Sequence, residues 1–306
     1  ESERIHAVVV ATPPTTHYEV TKLAHEAGKH VLVEKPLTTE TTQAVELVQL
    51  AKQLGLTMAV GHTFLHNAAV HKMKEYISGG AIGDLYYLYS RRTNLGPIRN
   101  DVNALWDLAP HDISIFSYLL DASPTWVSAV GSGVLGNGHE DVGFATIGYE
   151  SGTVAHLHVS WVDPFKVREL VAVGNQQRIV FNDMDALEPL RVYEKGVTPM
   201  PDETGVYDEF SYLIRDGDII SPKIDPTEPL KAQVVSFFES MALGSRPASD
   251  GRVGLAVVEV MAAIDRSIEM RGVPVQIERS LAPAASAPAG SGTRESHSAG
   301  LNRAIS

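Results

Sequence analysis

The first 61 residues constrain the fold most, because they repeat one unit at short intervals: an apolar run, a turn, then helical periodicity. Ile5 to Thr12 is a continuous apolar run of the kind a strand buried on both faces requires. Pro13-Pro14-Thr15 breaks it, and Thr15 or Thr16 can cap the helix that follows. That helix places Val20, Leu23, Ala24 and Ala27 inward and stops at Gly28. A second strand runs from His30 to Val33. A second helix, Thr38 to Leu54, turns Ala44, Leu47, Val48 and Ala51 inward and ends at Gly55, and Thr57 to Gly61 is a third strand. Strand, helix, strand, helix, strand with short connections is the signature of a parallel doubly wound sheet.

In such a sheet, ligands collect beyond the carboxyl ends of the strands. The second strand ends there in Glu34-Lys35-Pro36, where a lysine can reach a reacting hydroxyl. Pro36 stiffens the turn and pushes Lys35 into an extended conformation. A surface lysine ahead of a helix is the plain alternative. The third strand exits through Gly61-His62, with His66 and His71 beyond. Those last two fit one helix face poorly and no carboxylate clusters with them, so no metal site is expected.

The second chemical centre is Asn103-Ala-Leu-Trp-Asp107-Leu-Ala-Pro110-His111-Asp112. Asn103 can cap a helix to Leu120 that Pro110 kinks, or the main helix starts at Pro110 itself. In the kinked helix Asp107 and His111 stand at i and i+4 and face one way. A carboxylate holding an imidazole fixes its tautomer and favours its protonated form, whereas a helix N-terminus favours the neutral ring.

Beyond residue 80 the pattern is mostly sheet. Leu85 to Thr93 alternates, and Arg92 shares a face with Asn94, so both can address a sugar or a diphosphate; solvated charge is the alternative. The loop Gly96 to Asp101 can close over substrate. Further strands are expected at 125–132, 141–149, 153–161, 167–173, 177–182, 189–194 and 210–216, with a hairpin turn at Asp216-Gly217. Arg168 is a candidate for an anionic group on the substrate, or one half of a cross-strand salt bridge. Gly131-Ser-Gly133-Val-Leu-Gly136 matches a dinucleotide fingerprint in letters only: another strand follows it, where a helix is needed. Two amphipathic helices, 230–243 and 253–271, close the folded part, the first burying Val234, Phe237, Phe238 and Met241. From Arg279 the Ala, Ser, Pro and Gly content predicts a disordered tail.

Composition narrows the partners. A net charge of −12 without a Lys/Arg cluster argues against nucleic acid, and no apolar run is long enough for a membrane span. The absence of cysteine excludes disulfides and thiolate chemistry and fits a cytoplasmic location.

Ala11-Thr12-Pro13-Pro14 with His17, then Glu34-Lys35-Pro36, then Asp107 and His111, resembles the Gfo/Idh/MocA family of nicotinamide-dependent sugar oxidoreductases. The resemblance runs from about Ile5 to about Ile277. It implies an α/β fold: the C-terminal part of a Rossmann-type parallel sheet, followed by an α+β domain with a large open, mostly antiparallel sheet. Residues 1–61 would be the Rossmann part, 62–278 a substrate and oligomerisation domain, and 279–306 the tail. The helix at 253–271 would return to pack on the Rossmann sheet. The first visible strand corresponds to the family's fourth, with no Gly-x-Gly-x-x-Gly turn before it, so the sequence is expected to be a truncated or partial one; a natural protein that has shed its dinucleotide half is the alternative.

The resemblance further implies NAD or NADP as cofactor, held by Thr12, Pro13, Pro14, His17, Glu34, Lys35 and His62, the last at the nicotinamide end. Substrate would meet Lys35, Arg92, Asn94, His111 and Arg168. In the expected chemistry His111 takes the proton of a secondary hydroxyl, Asp107 orients it, and Lys35 stabilises the alkoxide; Lys35 and His111 can exchange roles. The Leu-Trp-Asp-Leu-Ala-Pro-His-Asp wording resembles the branch that oxidises the 3-hydroxyl of UDP-N-acetylhexosamines. An inositol, glucose or dihydrodiol dehydrogenase, or a sugar-binding relic without activity, are the rival readings. A homo-oligomer formed through the open sheet is expected.

Overall fold

Short β-branched runs assemble first into a three-stranded parallel sheet. In the computed structural model, which describes residues 3–199 and 212–281, β1 (Ala7–Val10), β2 (His30–Val33) and β3 (Met58–Val60) lie side by side in that order. The register pairs Val10 with Val33 and Val33 with Val60, so all three strands end at one edge. Helices α1 (His17–Glu26) and α2 (Thr41–Leu54) make the crossovers. Gly55 ends α2 in the left-handed region at φ 64°, where its N–H meets the Ala51 and Lys52 carbonyls.

β2, the central strand, is buried almost throughout, and so is β3, whose free edge is covered by Ser249 and Asp250. β1 departs from its expected double burial: it forms the edge of this sheet, and Val9 is 62% exposed. α1 departs as well. Leu23 is 64% exposed, and the inward stripe is His17, Thr21, Ala24 and His25. His17 sets that rotation, because its ring is drawn inward between two main-chain carbonyls.

The larger layer begins after α3 (Ala68–Ser78) with β4 (Leu85–Leu95) and α4 (Ala104–Leu120). There follow β5 (Pro124–Ser132), β6 (Val142–Tyr149), β7 (Val154–Ser160), β8 (Val162–Gly174), β9 (Arg178–Asn182) and β10 (Leu190–Tyr193). Then come β11 (Gly196–Pro199), β12 (Tyr212–Arg215), β13 (Ile219–Ile220), α5 (Pro229–Leu243), α6 (Gly251–Glu269) and β14 (Val275–Gln276). Nine strands form one open sheet in the order β13-β10-β9-β8-β4-β7-β6-β5-β14. Its pairs are antiparallel except β4 with β7. The Gly131–Gly136 segment lies at the end of β5, which pairs with β6 from Ser132↔Val142 onward, so it is a strand connection.

Three expectations need correcting. Asp216-Gly217 does not close a hairpin, because β12 pairs with β11 in a separate two-stranded sheet while β13 pairs with β10. Residues 210–211 of the expected strand lie outside the described residues. α5 buries Gln233, Phe237 and Ser240, leaving Phe238 exposed, since the helix rests on the protein along a narrow line. The chain at Arg279 and Ser280 is held against α6: Arg279 pairs with Glu259 at 2.8 Å, and the Ser280 N–H donates to the same carboxylate.

α6 packs onto β3 and the turn that carries Lys35. A Cβ at Gly254 would lie 2.6 Å from Val60 Cγ2 and 3.2 Å from Leu37 Cβ, so glycine permits that approach. Among the described residues no helix is long and apolar enough to cross a membrane.

Candidate active site

Lys35 stands at the carboxyl end of β2, in the turn Glu34-Lys35-Pro36, directly below the first turn of α4. Its Nζ donates to Asp107 Oδ1 at 3.1 Å and to the Asp107 carbonyl. Asn103 caps α4, its Oδ1 accepting from the Trp106 N–H at 2.9 Å, and Pro110 lies inside the helix, so 104–120 is one helix. That places Asp107 and His111 a turn apart, as expected. It does not join them.

The Asp107 carboxylate turns to Lys35 and to Trp161, whose Nε1 donates to Oδ2 at 3.1 Å; Arg99 stands 3.5 Å from Oδ1. A full cation competes better for a carboxylate than a neutral ring does. Asp107 therefore orients Lys35, and its expected bond to His111 is absent. The His111 ring packs edge-on against Phe64, with centroids 5.1 Å apart. Its Nδ1 has no partner among the described residues. Burial pushes the imidazole well below its usual range, and the charges of Lys35 and Arg92 add to that, so the ring favours its neutral form.

These groups open on one cavity of about 440 Å³, lined by Lys35, Asp107 and His111 together with Arg92 and Asn94 from β4 and Arg168 from β8. The five expected substrate residues thus share one space, but besides Lys35, which Asp107 holds, three more arrive already engaged. Arg92 is buried and grips Asp112 with two bonds, Nε to Oδ2 at 3.2 Å and a second nitrogen to Oδ1 at 2.8 Å. Its guanidinium lies over the Phe64 ring at 4.6 Å, so a ligand meets a clamped plane of charge. Asn94 donates to the Gly96 carbonyl. Arg168 pairs with Asp183 at 3.1 Å, the cross-strand alternative, while still facing the cavity.

The expected cofactor residues divide. Thr12 and Pro13 are exposed at the end of β1, and Glu34 and Lys35 stand at the end of β2. His17 is a correction: its Nδ1 lies 2.7 Å from the Pro36 carbonyl and its Nε2 2.9 Å from that of Thr12. The ring is wholly buried and has no nitrogen left for a ligand, so it ties the two strand exits together. His62 is also wholly buried, yet neither ring nitrogen has a partner among the described residues. Burial first, then Lys35, pushes its pKa down to about 3. An orphaned neutral imidazole beside Lys35, below open strand ends, fits the nicotinamide end of a dinucleotide. His66 and His71 are used within the protein, on Ser249 and on the Leu65 carbonyl.

Sequence reasoning missed Trp161, Asp112, Phe64 and the Glu228-Pro229 start of α5, which also lines the cavity. Asp112 was findable, since it follows His111 and one buried carboxylate in such a helix demands a cation. The others come from distant segments and carry no local signal.

Behind Asp107, Trp106 donates to Asp265 Oδ2 at 2.8 Å. Burial, helped by Glu140, Glu269 and Glu40, raises the Asp265 carboxyl from 3.8 to about 6. As pH rises from about 4 to about 6 the unfolded chain ionises there first, so stability falls and stays lower above that window by about 3 kcal/mol. Asp265→Asn keeps the acceptor for Trp106 and removes the charge. Thermal melts should show it more stable than the parent at pH above 7 and level with it near pH 4. Equal stabilisation at both would mean that charge is not the cause.

Residues 1–62 match the oxidoreductase family with an NAD-binding Rossmann fold, and residues 70–180 match the GFO/IDH/MocA C-terminal domain. The UDP-N-acetylglucosamine 3-dehydrogenase of Acidithiobacillus ferrooxidans is 30% identical over 277 residues, 87% of this chain and 80% of that protein. Its solved structure superposes with a TM-score of 0.72 at 26% identity, covering 86% of this chain and 79% of that one. The scyllo-inositol 2-dehydrogenase (NAD(+)) of Bacillus subtilis is 31% identical over 54% of this chain and 51% of its own length. An inositol dehydrogenase homologue from Azotobacter vinelandii, solved with NADH and myo-inositol, shares the fold at a TM-score of 0.73 and 19% identity, over 90% and 79% of the two chains. This chain belongs to the GFO/IDH/MocA family of NAD-binding oxidoreductases.

Proposed function

We propose that the protein oxidises the 3-hydroxyl of a UDP-N-acetylhexosamine, with NAD or NADP as acceptor. The observation that carries this reading is the one cavity in which a lysine held by a carboxylate, an imidazole that favours its neutral form and two paired guanidinium groups meet. When bound, the nicotinamide ring supplies the hydride acceptor. All other work falls to the chain. A sugar hydroxyl set between Lys35 and His111 gives its proton to the neutral imidazole of His111, which lines the cavity, as the carbinol C–H bond gives up its hydride. Lysine carries three donors, and two go to Asp107; the third stabilises the developing alkoxide. Asp107 opposes the deprotonating effect of burial on Lys35. Arg168, partly exposed and shared with Asp183, suits a diphosphate, and the 30% identity with the A. ferrooxidans enzyme supports that substrate class.

The outer face of the large sheet would bind a second copy of the chain. Tyr87 and Phe144 are exposed there, and Phe144 stacks on His158 with centroids 4.4 Å apart. Sedimentation that gives a monomer at micromolar concentration would remove this part.

Reduction of NAD or NADP should be followed with UDP-N-acetylglucosamine, UDP-N-acetylgalactosamine, myo-inositol and glucose in parallel. Turnover confined to the UDP sugars is the expected result. Turnover confined to the free polyols would replace the nucleotide-sugar reading. Absence of NADH binding in a fluorescence titration would leave the sugar-binding relic.

A further inference from the structure

Asp107 is held from two sides, and only one of them is Lys35. Its Oδ2 accepts from Trp161 Nε1 at 3.1 Å, while Oδ1 takes the ammonium at the same distance. Trp161 follows the last residue of β7 and is 1% exposed. Its main chain is pinned at both ends: the N–H donates to the Asp141 carbonyl at 2.9 Å, and the carbonyl accepts from Gly96 N–H at 3.0 Å. The indole is therefore a fixed donor that cannot follow the carboxylate if it turns. The terminal torsion of an aspartate is broad, so nothing in Asp107 itself fixes the tilt of its carboxylate plane toward Lys35. A bond from a rigid N–H to a carboxylate is among the stronger ones a protein makes.

We propose that Trp161 is a positioning residue: its indole N–H holds one carboxylate oxygen of Asp107 and so locks the carboxylate plane with the other turned to Lys35 Nζ. The inference rests on the Lys35–Asp107 reading of the site, and its test is independent of turnover. A buried tryptophan that merely fills space would need its ring and not its N–H. Lys35 also feels Arg99 and Arg92, and it faces the neutral rings of His62 and His111. Asp107 is the one group opposing these cations, so loosening its grip should make Lys35 give up its proton more readily.

The chain has three tryptophans, so an indole-labelled spectrum of the full chain should be sparse. Trp161→Phe identifies the Trp161 indole resonance by deleting it. Asp107→Asn, which keeps Trp161, should move that resonance and leave that of Trp126 in place. In a lysine-labelled sample assigned with Lys35→Met, Trp161→Phe should lower the Lys35 titration midpoint, and should do nothing further in the Asp107→Asn background. With a turned-over substrate in hand, the same variant should lose about tenfold in kcat with little change in KM. A Trp161 resonance indifferent to Asp107→Asn would overturn the proposal, as would an equal Lys35 shift in both backgrounds. If Trp161→Phe does not fold, the Asp107→Asn spectrum still decides. Correct spectra without turnover on any alcohol would count against the proposed reaction and leave the positioning role standing.

Discussion

Replacing Lys35 with methionine lowers kcat/KM for the sugar about a thousandfold, the scale on which a single preorganised donor to a developing oxyanion acts. Methionine keeps an unbranched chain of similar length, so the cavity retains its shape and loses one charge. The fold survives, because Asp107 keeps Trp161 and has Arg99 at 3.5 Å to take up its charge. The pH profile separates this from a packing defect. The working state needs Lys35 charged and His111 neutral. Burial holds Lys35 below its ordinary 10.5 despite Asp107, with Arg99 and Arg92 adding to the depression, so the alkaline limb should fall below the usual lysine range. His111 lies well below 6.5, so no acid limb should appear near neutrality. Lys35→Met should lose the alkaline limb and keep an acid one, moved to higher pH because Lys35 is the largest of the cations that hold His111 uncharged. Lys35→Arg should not restore the rate, because a planar fork cannot leave a single donor pointing at the hydroxyl while two serve Asp107. A Lys35→Met enzyme within tenfold of the parent would end the assignment of Lys35 to the alkoxide.

The parallel unit was readable because β2 and β3 have no polar face to misplace; their apolar runs mean burial on both sides. β1 carries the same kind of run and is an edge strand, since composition says what a strand tolerates and not what lies beside it. Helical spacing placed Asp107 and His111 on one helix but could not name their partners. Those come from Lys35, 72 residues away, and Trp161, 54 residues away, across a topology that only the assembled sheets define. Short strands such as β11, β13 and β14 are held by pairing and not by pattern, which is why Asp216-Gly217 carries a hairpin signal without joining two paired strands.

Asp112→Ala should destabilise the fold by about 3–5 kcal/mol, because it strands the buried Arg92 guanidinium without its carboxylate. In a chain of this size that is a fall of roughly 10 °C in the melting midpoint. The double change Arg92→Met with Asp112→Leu removes both charges and fills a similar volume, so most of the loss should return. Activity should not return with it. Arg92 is one of the cations that hold His111 uncharged, after burial and Lys35. Without it the imidazole protonates more readily, so the acid limb of kcat should move to higher pH in the double variant while stability recovers. A pair kept only for packing would show stability and pH profile recovering together. Urea titrations and pH–rate profiles on the three proteins therefore distinguish a buried pair that shapes the cavity floor from one that also tunes the base, and an unmoved acid limb would assign Arg92 to structure alone.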